Sequence, residues 1–205
     1  MSAAAQHEAA DDVFNPFETM IDQDHALQIL RDAVAGADDG ELFLERRRSE
    51  SLVLDDGRIR SAGYDAGEGF GLRAVRDDVA GYAHSTQITE SALKRAAQTA
   101  RLAVGAGGGT LADAPVGTNR HLYGAFNPIT EASFAAKIET LREIDAYVRA
   151  LDPRVVQVTA SLAASIQEIA ILRPEGGLAT DTRPMARISI AVIVEKDGRR
   201  ESGHY

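Results

Sequence analysis

Residues 51–64 read SLVLDDGRIRSAGY, an apolar run followed by a two-residue turn signal and a return segment. Asp56-Gly57 is that signal, because a tight hairpin turn needs positive φ at both central positions and Asp and Gly tolerate it. Upstream, Leu42, Leu44 and Leu52 continue the even spacing of Leu54. The pattern predicts a hairpin of two antiparallel strands, Glu41–Asp55 and Arg58–Tyr64.

Further strands and two helices are predicted around this hairpin. Gly69–Arg76 and Val79–Ser85 form two more strands, joined by a turn at Asp77-Asp78. A helix begins at Asp22 or Asp24 and precedes the strands, and a second helix, capped by Thr89, follows them. The second helix has mostly alanines on its inner face, so we expect it to lie close on the sheet.

A second unit repeats this order. The unit begins at Thr130, and its helix is marked by apolar residues from Phe134 to Leu151 and ended by Pro153. Strands follow at Val156–Leu172, Leu178–Asp181 and Arg187–Glu195. The Gly176-Gly177 and Asp197-Gly198 turn signals lie 120 residues after Asp56-Gly57 and Asp77-Asp78. The fold class is therefore α+β, with two helix-plus-antiparallel-meander units and helices packed on the sheets. An internal duplication would explain the equal spacing, and a chance coincidence of generic turn signals is the alternative.

The composition places these units between less regular segments. Residues 1–21 are predicted to be a disordered acidic tail, 22–105 the first α+β unit, 106–128 a linker and 129–205 the second unit. The second unit has no counterpart of the fourth strand and covering helix of the first before Tyr205, so we expect the chain to be truncated there. Whether such a truncation is natural stays open.

Charge and residue usage exclude several classes of protein. The 205 residues carry a net charge of −9, and residues 1–24 contain six acids and no Lys or Arg. A chain without a basic stripe is a poor ligand for nucleic acid, because phosphate contacts supply most of that affinity. There is no cysteine, no signal peptide pattern and no run of about 20 apolar residues, so we expect a soluble, cytoplasmic protein without disulfides.

No metal-ligand or nucleotide motif is complete. His7-Glu8 begins like His-Glu-x-x-His, but Asp11 stands where the second histidine is needed. The other histidines fall in four separate segments and show no ligand spacing: His25, His84, His121 and His204. Gly67, Gly69 and Gly71 resemble a dinucleotide fingerprint, but a strand follows instead of a helix, which favours close backbone packing or a bulge.

The remaining candidates also favour structural roles. Gly107–Gly109 lacks the Lys-Ser or Lys-Thr of a phosphate loop. No Gly-x-Ser-x-Gly context surrounds the serines considered as nucleophiles, which are Ser49, Ser51 and Ser161. Asp181, Arg183 and Arg187 form a polar cluster, for which a structural ion pair is favoured over catalysis. We therefore predict no catalytic, cofactor-binding or metal-binding residue in this chain.

Short strings along almost the whole ordered chain resemble the TldD/PmbA family of metallopeptidases, and TldD more than its partner. In order they are Glu50-Ser51 with Val53-Leu54, Gly69-Phe70-Gly71-Leu72-Arg73, Gly81-Tyr82-Ala83, Val158-Thr159-Ala160-Ser161-Leu162, Asp181-Thr182-Arg183-Pro184 and Val194-Glu195-Lys196-Asp197-Gly198. Each string alone is weak evidence for the family, but the order and spacing of all the strings together make the match specific.

The resemblance implies the amino-terminal half of a zinc-dependent peptidase. Zinc is expected in a carboxy-terminal half, on a helix with His-Glu-x-x-x-His and a later cysteine, and no residue here matches those ligands. The resemblance implies that this amino-terminal half helps to enclose a cleft, holds extended peptide or unfolded-protein substrates, and contacts a homologous PmbA/TldE-type subunit. By itself it is expected to be inactive.

Two other hypotheses stay open at this point. The chain could be a non-catalytic protein- or peptide-binding module, similar to the modulators of DNA gyrase described in this family. It could also be a nucleotide-binding enzyme, although only the incomplete glycine pattern supports that.

Overall fold

The structure is a computed structural model that describes residues 14–105, 109–113, 122–124 and 126–205. Its strands form one sheet in the order β3-β2-β1-β4-β5-β6. The strands are β1 (Asp39–Asp55), β2 (Arg58–Arg76), β3 (Val79–Ser85), β4 (Val155–Leu172), β5 (Leu178–Lys196) and β6 (Arg199–His204). The helices are α1 (Pro16–Thr19), α2 (Gln23–Ala33), α3 (Glu90–Val104) and α4 (Phe134–Leu151). The α+β prediction is confirmed.

The strands β1 and β4 are neighbours and run antiparallel. Near one end of β1, the backbone N–H of Asp56 donates to the carbonyl of Val158 at 3.0 Å. Near the middle of β1, Arg46 Nε donates to Glu168 at 2.9 Å, and near the other end Arg173 donates to Glu41 at 3.2 Å. Beside the first contact, Asp55 accepts hydrogen bonds from Gln157 and Thr159, which lower the pKa of its carboxyl.

The strand bounds support an internal duplication. β2 and β5 are 19 residues each, and both their first and last residues are 120 positions apart. The β2–β3 pairing places Leu72 opposite Ala83, and the β5–β6 pairing places Val192 opposite Gly203, which is the same register shifted by 120. The turns agree in the matched positions, since Asp56 and Gly176 both have positive φ, and so do Asp77 and Asp197.

The strands are longer and fewer than the sequence predicts. The segments predicted as separate strands on either side of Asp65 form the single strand β2, and the two predicted around Pro184 form β5. Glycine and proline are weak strand formers, so the pattern indicated breaks. Pairing with β1 and β4 keeps both strands continuous, and each meander therefore has three strands.

The described chain forms two compact units that are not consecutive in sequence. The first lies within Met1–Leu44, Phe70–Asp113 and Ile169–Leu178, and the second within Glu45–Gly69, Ala114–Glu168 and Ala179–Tyr205. These bounds differ from the predicted 22–105 and 129–205, because the four long strands each contribute residues to both units. The predicted linker at 106–128 lies largely outside the described residues.

The first unit is built on leucines from three strands and two helices. Leu30, Leu42, Leu72, Leu93 and Leu172 are fully buried in one apolar cluster. The caps of its helices are side chains: Asp22 accepts from His25 N–H in α2, and Thr89 accepts from Ala92 N–H in α3.

The helix α3 lies very close to strand β3. A Cβ added at Gly81 would come 2.3 Å from the carbonyl oxygen of Ala100, so only glycine fits there. The small inner face of α3 therefore does what the sequence predicts and lets the helix approach the sheet.

The predicted tail is partly ordered. Pro16–Thr19 forms α1, and Phe14 and Ile21 on either side of it are buried in the first core. Residues 14–21 of that segment are therefore ordered in the structure, where Phe14, Phe17 and Ile21 pack in or against the first core. Residues 1–13 lie outside the described residues.

The second unit has a smaller core between α4 and the sheet. It contains Leu52, Leu54, Ile138, Leu141 and Ala160. Beside that core, the ammonium group of Lys137, only 5% exposed, donates to the carboxylate of Glu50 and to the carbonyl of Ile129. This buried pair fixes α4 on β1, since a buried charge is tolerated only with such partners.

Candidate functional site

A concave pocket of about 490 Å³ lies in the second unit and is lined by residues of β1, β2, β4 and β5. We call it the trough. Its polar lining includes Arg47, Ser49, Ser51, Asp65, Ser165 and Arg187.

Strand alternation explains why these residues line a concave surface. On β1, Leu52 and Leu54 are buried in the core with α4, so the odd-numbered residues of this stretch of the strand point the other way. Ser49 and Ser51 lie at such positions and are too small to fill the space. Gly63 of β2 adds no side chain, and a Cβ there would come 3.2 Å from Ser51 Oγ.

The trough holds arginines that lack carboxylate partners within the described part of the chain. Most arginines of the second unit are paired, among them Arg46 and Arg48 with Glu168 and Arg183 with Asp181. Arg47 and Arg187 form no such ion pair with a described residue, and both line the trough. The lining of the trough therefore includes two exposed arginines together with small hydroxyl side chains.

An open sheet edge lies beside the trough. β3 pairs only with Phe70–Arg76 of β2, so residues 58–69 have no strand on their outer side among the described residues. Unpaired N–H and C=O groups along such an edge can pair with an extended peptide. The matching stretch of β5 includes Pro184, which has no N–H to donate.

The predicted histidine candidates do not meet. His25 lies 3.8 Å from Glu90, His84 stacks on Tyr82 with ring centres 5.8 Å apart, and His204 is exposed in β6. His7-Glu8 and His121 lie outside the described residues. Within the described ranges, no three His, Cys, Asp or Glu side chains are grouped to hold a metal ion, so these residues do not fit the zinc that the resemblance implies.

The glycine and polar candidates have structural positions. Gly67, Gly69 and Gly71 lie inside β2, and β3 follows it, which removes the nucleotide-binding context. A Cβ at Gly71 would come 2.5 Å from the Tyr82 hydroxyl, whereas Gly67 faces open space. Asp181 and Arg183 form the expected ion pair at 2.7 Å, and Arg187 lies in the trough instead.

The predicted serines also have defined positions. Ser161 donates to the carbonyl of Ser189 at 3.3 Å, and Ser49 and Ser51 lie in the trough. Gly107–Gly109 falls mostly outside the described residues. None of the helices in the described ranges is long and apolar enough to cross a membrane.

Sequence reasoning missed the trough, although one signal pointed to it. The run Arg46-Arg47-Arg48 interrupts an apolar strand, and alternation must place its middle residue on a different face from its neighbours. The structure pairs the outer two with Glu168 and directs the middle one to the trough.

Solved structures share this fold. TldE from Thermococcus kodakarensis matches with a TM-score of 0.72 at 17% identity, covering 88% of this chain and 42% of that one. A candidate modulator of DNA gyrase from Thermotoga maritima matches with a TM-score of 0.71 at 15% identity, covering 89% of this chain and 41% of that one. At these identities the likeness shows the fold alone.

Sequence comparisons identify the family. Residues 40–104 match the PmbA/TldA metallopeptidase domain 1, and residues 127–205 match the PmbA/TldA metallopeptidase central domain. The Metalloprotease TldD homolog of Haemophilus influenzae is 34% identical over 169 residues, which cover 81% of this chain and 35% of the relative. The homolog of Buchnera aphidicola from Schizaphis graminum is 33% identical over 168 residues, which cover 81% and 35%.

The chain belongs to the PmbA/TldD metallopeptidase family. It spans about a third of the length of the curated relatives that it matches. The two matched domains are the first and the central one, in agreement with the resemblance stated from the sequence.

Proposed function

We propose that this chain is the amino-terminal, substrate-holding part of a zinc-dependent peptidase of the TldD type, and that it binds peptides in extended form along the outer edge of β2. Family membership supports the peptidase, and the open edge at residues 58–69 supports the mode of binding. Backbone pairing suits an enzyme that accepts many unfolded peptides, since the backbone groups of every residue are the same.

The edge of β2 is favoured over the edge of β5 for a physical reason. A strand that adds to an edge needs donors and acceptors at alternate positions. Pro184 has no N–H and lies in the open stretch of β5, whereas residues 58–69 contain no proline. The β2 edge is also bordered by the trough, which Gly63 and Asp65 of β2 help to line.

The catalytic step belongs outside the residues described here. In the proposal, zinc is held by a carboxy-terminal half, and this chain positions the peptide and helps to enclose the cleft. A homologous PmbA/TldE-type subunit is the proposed partner, and the fold shared with TldE supports that choice. No residue of this chain is assigned to the metal.

A chimera tests the peptidase assignment. Residues 14–205 would replace the matching region of the Haemophilus influenzae TldD homolog, and the product would be expressed with its partner subunit and assayed on unfolded peptides. We expect bound zinc by elemental analysis and cleavage that a chelator abolishes. A folded, zinc-loaded chimera that cleaves nothing, beside an active parent, would contradict the proposal.

The alternative is a metal-free peptide-binding module, and the open edge favours it equally. Binding of extended peptides by the 205-residue chain alone is expected under both functions. Only the peptidase assignment predicts cleavage by the chimera, so binding together with an inactive chimera would favour the module.

A further inference from the structure

We propose that Arg47 and Arg187 form a carboxylate-binding subsite in the trough, which selects peptides that carry an acidic side chain next to the β2 edge. The inference rests on the proposed function in that its ligand is a peptide. It goes beyond that function by assigning two specificity residues and the class of side chain that they bind.

The pairing of charges is the first observation. In the second unit, carboxylates from Asp56, Asp145, Asp152, Asp181, Glu168, Glu195 and Glu201 each neutralise at least one arginine. Against this background, Arg47 and Arg187 have no carboxylate partner among the described residues although both border one pocket. In a chain with a net charge of −9, free cations in a shared pocket are the exception.

The lining is the second observation. Ser49, Ser51 and Ser165 lie in the same trough and can each donate a hydrogen bond to a carboxylate oxygen. Arginine donates in a planar fork that matches a carboxylate, and such charge-assisted bonds are stronger than neutral ones. Glu50, which also borders the trough, is already bound to the buried ammonium of Lys137 and is not available to neutralise an arginine.

The position of the trough is the third observation. Gly63 and Asp65 lie within residues 58–69 of β2 and also line the trough. A peptide added to this edge would run about 4.8 Å from β2 and would direct every second side chain to each face of the sheet. Acidic side chains at one set of alternate positions therefore face the trough, and those at the other set do not.

The trough suits a single carboxylate better than a polyanion. Asp65 contributes a negative charge to the same lining, and the rest of the chain is acidic. Both repel a ligand with many negative charges, such as a nucleic acid. One acidic side chain on an otherwise neutral peptide can be bound by the two arginines without that repulsion.

The test uses two fluorescent ten-residue peptides of extended sequence that differ in a single Glu or Gln at the position facing the trough. Fluorescence anisotropy with the 205-residue chain should show about tenfold tighter binding of the Glu peptide at low salt. The preference should decline as salt is added, because the arginines are exposed.

Variants separate this subsite from the edge. Arg47→Gln with Arg187→Gln should abolish the preference, so that the Glu and Gln peptides bind alike. Arg183→Gln is the matched control, because Arg183 is an exposed arginine of β5 already paired with Asp181, and it should keep the preference. Circular dichroism would confirm that each variant is folded.

The outcomes are distinct. Equal binding of the Glu and Gln peptides overturns the subsite and leaves the edge-binding proposal intact. A preference for the Glu peptide that persists in the double variant has the same meaning. Binding of neither peptide overturns both this inference and the proposed mode of peptide binding.

Discussion

The two repeats have similar strand lengths and the same pairing register, but they differ in whether a helix packs on the last hairpin of the meander. In the first hairpin, which pairs residues 70–76 with 79–85, Phe70, Leu72 and Ala74 are at most 5% exposed. In the second hairpin, residues 190–196 with 199–205, the matching side chains of Ile190, Val192 and Val194 are only partly buried. Helix α3 packs on the first, and the three matching residues belong to neither apolar cluster of the described chain. Turns and pairing thus set the register, and a covering helix sets the burial.

The largest expected effect comes from shortening side chains at matched positions of the two hairpins. Leu72→Ala should lower the free energy of unfolding by about 3 kcal/mol, because it leaves a cavity under a fully buried leucine. Val192→Ala at the matching position should cost less than about 1 kcal/mol, since that valine is partly exposed. Urea denaturation of both variants checks this. Equal losses would show that the second hairpin is as well covered as the first.

Close helix packing should give the next largest effect. Gly81→Ala should cost about 2 kcal/mol, because the new Cβ meets the Ala100 carbonyl and α3 must move. The matching change in the second hairpin, Glu201→Ala, removes an exposed side chain and should change stability by less than about 0.5 kcal/mol. Thermal unfolding measures both. A neutral Gly81→Ala would mean that α3 is held less closely than the structure shows.

The two Asp-Gly turns, Asp56-Gly57 and Asp197-Gly198, should respond alike although they are not at matched positions of the repeats. Gly57 and Gly198 have φ of 71° and 78°, and a Cβ at either would meet no atom within 4 Å. Alanine at either position should therefore cost about 1.5 kcal/mol through backbone strain alone. The two losses, measured by urea denaturation, should agree within about 0.5 kcal/mol. A large difference would show that the two Asp-Gly turns, which join different strand pairs of their repeats, are not strained alike.

The smallest expected effect concerns the helix that distinguishes the repeats. Thr89→Ala should cost about 1 kcal/mol, because the hydroxyl of Thr89 caps α3 by accepting from Ala92 N–H. Thr99→Ala is the control on the same helix, since its exposed hydroxyl only donates back to the carbonyl of Arg95 and its loss should be nearly neutral. Unfolding curves in which Thr99→Ala loses more stability than Thr89→Ala would contradict the assigned cap.

The sequence predicts local features well and pairing partners poorly. Asp56-Gly57 and Asp197-Gly198 predict their turns because both positions need residues that tolerate positive φ. The continuity of β2 through Gly63 and Gly67 depends on pairing with β1 beyond the turn, which local propensity does not report. The trough is missed for the same reason, because Arg47 and Arg187 are 140 positions apart and only the sheet order joins them.

The family resemblance extends these predictions to function. It rests on short strings, such as Gly69–Arg73, that lie in strands, and the domain matches at 40–104 and 127–205 confirm it. It cannot identify a site within this chain, because the ligands that it implies have no counterpart among these residues. The trough could be found only from the structure.

Hydrogen–deuterium exchange of the 205-residue chain, with and without a saturating extended peptide, tests the proposed peptide binding most directly. The account predicts that the peptide slows amide exchange within residues 58–69 of β2, because the open edge gains backbone hydrogen bonds. Unchanged exchange there, with slowing confined to residues 190–204 of the second hairpin, would show that peptides bind the uncovered face instead and would contradict the proposed mode of binding.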